Sequence, residues 1–120
     1  NYLGSGTSSL GFVSNGQYFS GGVALGYSSA GLANGDTLCV AIDLFLGKFW
    51  VRINGGAWLS TIAGGQNPAT GEGGLPVPAN LILSGFYPGV SVQSSANPDT
   101  VELNASGPFA YTIPAGFIPI

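Results

Sequence analysis

Two apolar runs of matched length, separated by four residues and closed at their outer ends by turn residues, constrain this chain more than anything else in it. Asn34-Gly35-Asp36 precedes the first run and Asn54-Gly55-Gly56 follows the second, so the segment from Thr37 to Ile53 reads as a β-hairpin. With Leu44 to Gly47 as the loop, Asp43 falls opposite Lys48, and the register pairs Ile42 with Phe49, Val40 with Val51 and Leu38 with Ile53. That face is wholly apolar. The other sets Asp43 with Lys48, Ala41 with Trp50 and Cys39 with Arg52, which brings opposite charges together and places small residues beside large ones.

The remaining segments carry strand and turn signals and no sustained helical spacing. Ser14-Asn15-Gly16, with its Asn-Gly step, is flanked by Phe12-Val13 and Gln17-Tyr18-Phe19 and predicts a second hairpin, and Val23 to Tyr27 adds a strand. Trp58 to Ile62 reads as short strand or loop. Residues 64–80 form a Gly/Pro/Asn/Thr-rich excursion without periodicity, of the length at which loops are functional or disordered. Beyond Leu81-Ile82-Leu83, strands are expected over Gly89 to Gln93, over Thr100 to Leu103 with Val101 and Leu103 inward, and over Phe109 to Ile113, with a turn from Ser94 to Asp99. Turn-like connections throughout predict an all-β chain, an antiparallel β-sandwich, as one domain over residues 1–120.

Composition narrows the function. The chain has two basic and five acidic residues, a net charge of -3, 21 glycines and 45% hydrophobic residues. Nucleic-acid binding is argued against, because phosphate neutralisation needs Lys and Arg. Charged residues make up 6%, far below the quarter or so that suits a soluble monomer, so protein or uncharged polar groups are expected to cover much of the surface. Cys39 stands alone and cannot form an intrachain disulfide; it is expected as a small packed residue. No apolar run reaches the roughly 18 residues of a membrane span, and no export signal is visible. Histidine is absent, which removes the commonest general base and metal ligand. Asp36, Asp43, Glu72, Asp99 and Glu102 each read as solvated or turn-capping acids, so no catalytic residue, cofactor or metal site is assigned.

The residues of the hairpin also carry a family resemblance. Gly35-Asp36, a hydrophobic strand, Ile42-Asp43-Leu44, a short Gly47-Lys48 turn, an aromatic strand and Asn54-Gly55 resemble the central signature of SPRY (B30.2-like) domains. The likeness extends through residues 67–74, 87–92 and 108–117, and its wording is similar to that of bacteriophage and bacterial modules. The resemblance implies a concanavalin-like jelly roll of which this chain is the C-terminal part. The family's N-terminal strands, one with a Trp and an acidic residue, have no counterpart here. The opening Asn1-Tyr2-Leu3-Gly4 falls inside the family's domain, so a fragment is expected.

SPRY domains are binding scaffolds, so the resemblance implies a non-enzymatic binding or structural module of a larger assembly, here a phage virion component such as a tail fibre or receptor-binding part. Expected partners are other chains or domains of that assembly, and host-surface glycan or protein. The alternative is a lectin-like carbohydrate-binding module. Candidate ligand residues are Trp50 and Arg52, which alternate on the polar face, with Trp58 and Tyr18. The other reading of that face is that it packs beneath a loop or second sheet. Phe45 and Leu46 stand where the family's hairpin tip is polar, and either fold back or meet a partner. With Phe117, Ile118 and Ile120 they are the candidate interface residues.

Overall fold

The computed structural model describes residues 6–85, 87–91 and 100–119. Its strands form two three-stranded antiparallel sheets. The first comprises β1 (Leu10–Phe12), β2 (Gln17–Ser20) and β3 (Val23–Ser28), in that order. The second comprises β4 (Leu38–Asp43), β5 (Lys48–Ile53) and β6 (Leu75–Pro76), again in sequence order. One helix, α1 (Ala79–Ser84), and a 3-10 turn at Pro68–Thr70 complete the described elements. The chain is all-β in class.

The central hairpin has the register expected of it. All six pairs are present, from Leu38 with Ile53 to Asp43 with Lys48, leaving Leu44 to Gly47 as the turn. At the open end Asn54 takes positive φ (55°), and its side-chain oxygen accepts from the Thr37 amide at 2.9 Å. The first sheet follows the Ser14-Asn15-Gly16 signal: Phe12 pairs with Tyr18, the Val13 amide bonds Gln17 at 3.0 Å, and Gly16 supplies the positive φ of the turn. A bulge between Gln17 and Phe19 breaks the pairing of β2 with β3.

Strand position explains burial. β2 and β5 are each the middle strand of three, and in both, successive residues are buried although their side chains point to opposite faces: Tyr18 and Phe19 in β2, Phe49, Trp50 and Val51 in β5. Outer strands are less covered: Val23 of β3 and Val40 of β4 face solvent, although Ala41 of β4 and Leu75 of β6 are buried. Tyr18, Phe49, Trp50, Val51, Leu59, Leu75, Val77 and Leu81 form one core cluster drawn from both sheets. The Ser20 hydroxyl donates to the Pro76 carbonyl at 2.8 Å, and Thr61 donates to the Ser28 carbonyl, so polar bonds also tie the first sheet to the rest.

Two expectations are corrected. The excursion over residues 64–80, expected as a loop without periodicity, carries secondary structure: the 3-10 turn, then β6, which pairs Leu75 with Phe49, and then the start of α1. Leu81-Ile82-Leu83 lies in that short helix, with Leu81 in the core and Leu83 exposed. Thr100 to Leu103 and Phe109 to Ile113 form no strand, nor do residues 89–91; Val101 and Leu103, expected inward, are exposed. Apolar alternation makes a strand only where it pairs with another, and among the described residues no strand pairs with these segments. The remainder of the strand expected at residues 89–93, and the turn at residues 94–99, lie outside the described residues.

Val51 and Val40 are cross-strand partners on one face, yet Val51 is 2% exposed and Val40 52%. Val51→Asp should therefore unfold the protein, since an unpaired buried carboxylate costs several kcal/mol against a total of about 5–15. Val40→Asp should shift stability by about 1 kcal/mol or less. Thermal melting followed by circular dichroism checks the ranking, and equal effects would mean that β4 is not an outer strand.

Candidate functional site

The tip of the central hairpin is built from its own backbone needs. Asp43 accepts from the Leu46 amide at 2.8 Å, closing the turn, and Gly47 supplies positive φ (64°). Lys48 reaches away, donating to the Gly71 carbonyl at 2.9 Å. Asp43 and Lys48 are thus backbone partners in the ladder, but the side-chain ion pair implied by their register does not form: each charge is used on a main-chain group nearer to it. Leu46 leans over Gly71, where a Cβ would stand 2.7 Å from its Cδ1, and Ile82 of α1 packs beside Gly47. Phe45 touches neither support and is 98% exposed, so it does not fold back.

The C-terminal candidates reach the same end of the hairpin. Phe117 is half-buried and meets Trp50 edge-on, with ring centroids 6.3 Å apart and planes at 88°. Ile118 is 83% exposed. Between this segment and the hairpin lies a cleft of about 300 Å³ lined by Ile42, Asp43, Leu44, Gly116, Phe117 and Ile118. Ile120 lies outside the described residues.

Of the ligand candidates, Trp50 and Tyr18 are core residues. Trp50 is 0% exposed; its indole N–H donates to the Glu72 carbonyl at 3.0 Å, and a Cβ on Gly74 would lie 2.9 Å from its ring. Neither face of the indole is open for a sugar to stack on, and the reading in which this face packs beneath a loop is the one the structure adopts. Tyr18 is buried against Phe12, with centroids 5.4 Å apart. Arg52 covers Trp58, not Trp50: its guanidinium carbon lies 4.4 Å from the Trp58 ring centre, and one terminal nitrogen donates to the Thr112 carbonyl at 2.7 Å. The buried Arg52 Nε has no hydrogen-bond partner among the described residues. A cleft of about 340 Å³ adjoins Arg52, with Asp36, Asn54, Ser29 and Ser60 among its lining residues.

Asp36 and Asn54 tie off the base of the hairpin. Asp36 accepts from the Ala33 amide at 2.8 Å and from the Asn54 side-chain amide at 2.9 Å. These bonds, the backbone one foremost, hold its carboxyl below its ordinary value of 3.8, against a small opposing effect of desolvation. Asp36 and Asp43 thus act as acceptors for local donors, as turn acids do. Among the described residues no group of three or more His, Cys, Asp or Glu side chains could hold a metal ion, and no helix is long and apolar enough to cross a membrane.

Sequence reasoning did not find Ile82 beside the tip or the Glu72 carbonyl above Trp50, and neither has a local signal, because both contacts join residues far apart in the chain. The Asp36 and Asn54 knot did have one, in the turn triplets that close both ends of the hairpin. Compared with known proteins, the chain matches no family model, no curated protein and no solved structure.

Two measurements follow from this geometry. Trp50→Ala should cost about 3–5 kcal/mol, the loss expected for a buried aromatic, with far-UV circular dichroism changing accordingly. A folded variant of unchanged melting temperature would put Trp50 on the surface. For Asp36 the folded carboxyl titrates below the unfolded one, so its contribution is complete above the ordinary value of 3.8 and is lost as pH falls through and below it. Asp36→Ala should therefore show a smaller drop in melting temperature between pH 6 and pH 2.5 than the wild type does, and parallel curves would dismiss the contribution.

Proposed function

We propose that this chain is a SPRY-like β-sandwich module, non-enzymatic, that serves as a binding or structural part of a larger assembly: a component of a phage virion such as a tail fibre or receptor-binding part. The observation that carries the reading is Phe45, held 98% exposed at the tip of the best-formed hairpin in the chain. Leaving such a side chain in water forgoes roughly 1.5–3 kcal/mol of burial, and the turn around it is fixed by Asp43 and Gly47, so the exposure belongs to the folded state. Leu46, Ile82 and Ile118 expose further apolar surface around it, in a chain with 6% charged residues. Other chains or domains of the assembly are the partners that such a surface suits. The virion and the SPRY type rest on the sequence resemblance.

A second reading, a carbohydrate-binding module, is favoured by the cleft beside Arg52, where Asp36, Asn54, Ser29 and Ser60 offer hydroxyl-matching groups. Trp50 is buried and Trp58 lies under Arg52, outside the lining of this cleft, so recognition there would be polar. A glycan array that gives signal with the wild type and loses it with Arg52→Ser would support this reading, and a blank array would remove it.

For the first reading, Phe45→Ser should raise the solubility limit of the protein several-fold and leave its melting temperature within about 2 °C, because a fully exposed side chain contributes little to folding. Light scattering across a concentration series reads both the association of the wild type and its relief. A wild type that stays monomeric, with solubility unchanged by Phe45→Ser, would overturn the docking role of the tip.

A further inference from the structure

We infer that the hairpin tip docks a second copy of this chain in a two-fold arrangement, each Phe45 ring seated in the partner's cleft between Leu44 and Ile118. The inference rests on the tip being a docking surface and names what occupies it. Its first support is that knob and hole belong to one surface. Phe45 follows Leu44 directly, Leu44 lines the cleft, and Phe45 itself stands clear of it. A surface that carries both a projecting ring and, beside it, a slot lined by Ile42, Leu44, Phe117 and Ile118 together with Asp43 is self-complementary, which is what an isologous interface requires: residue i of one copy meets residue j of the other, and j meets i. The cleft, about 300 Å³, has room for the ring, since an apolar cavity of about 150 Å³ takes up benzene.

Area is the second support. Phe45, Leu46, Ile82 and Ile118 are 98, 46, 36 and 83% exposed. At roughly 150–250 Å² for a whole large side chain they offer about 500 Å² per copy. Two copies together then reach about 1,000 Å², the size at which specific interfaces begin.

Charge is the third. A chain of net charge -3 repels its copies at a distance, so a self-docking surface has to be locally neutral. Here Asp43 is bonded to the Leu46 amide and Lys48 to the Gly71 carbonyl, and the side chains that project from the tip are Phe, Leu and Ile.

The test uses two single-cysteine variants of the whole chain in a Cys39→Ser background, Phe45→Cys and Ile118→Cys, one of them isotopically labelled, mixed and oxidised. The expected product is a labelled–unlabelled disulfide dimer, formed at least tenfold faster than when Phe45→Cys is mixed with Val23→Cys, whose position on β3 is also exposed. Sedimentation of the wild type should show a monomer–dimer equilibrium without larger species, and Phe45→Ser should weaken it at least tenfold. Crosslinking no faster than the Val23→Cys control, or a ladder of higher oligomers, overturns the two-fold arrangement. A monomeric wild type whose solubility nevertheless rises with Phe45→Ser overturns the second copy and leaves the docking role standing, and a monomer unaffected by Phe45→Ser overturns both.

Discussion

Trp50 requires cover on a face of β5 that the hairpin alone cannot supply. Opposite it in the ladder sits only Ala41, too small to enclose an indole. The opposite face of the strand already carries Phe49 and Val51, so β5 has to be enclosed from both sides. The chain meets this demand with the segment after the hairpin. Its Glu72 carbonyl accepts the indole N–H, its Gly71 carbonyl takes the Lys48 ammonium, and β6 follows immediately to pair with Lys48 and Phe49. Phe117 closes a further side edge-on.

One glycine of that segment is then a consequence of the indole. Gly74 lies so near the ring that any Cβ would have to displace it, and Gly74 also takes positive φ (86°), which L side chains rarely adopt. The Asn67–Glu72 bridge and the bond from the Gly74 amide to the Gln66 side chain hold the segment in shape without a long ladder. A stretch whose contacts run to scattered partners, among them Trp50, Lys48 and Leu46, has no periodicity to display. That is why a stretch read from sequence as a loop without periodicity turns out to carry secondary structure.

The same reasoning separates what was legible in the sequence from what was not. Both hairpins were, because their information is local: turn residues at fixed offsets, and cross-strand pairs such as Ala41 with Trp50 that fit in only one register. The burial of Trp50 and the exposure of Phe45 were open alternatives, since each depends on whether some distant segment arrives to cover the ring. Val101 and Leu103 show the converse. They alternate as strand residues do, but among the described residues no strand pairs with them, and they remain exposed coil.

One physical difference decides how the two exposed ends of this architecture are to be read. Exposed apolar residues in the C-terminal coil, such as Val101 and Leu103, are carried by backbone with no ladder to hold it. Phe45 sits between an Asp43 side chain bonded to the turn and a glycine already in its left-handed conformation, on strands paired through six residue pairs. Ordering the backbone that bears a contact residue is among the costs of association, and at the tip folding has already met it. Were the tip to take a partner as proposed, the backbone that bears Phe45 would need little further ordering, whereas Val101 and Leu103 would first have to be fixed.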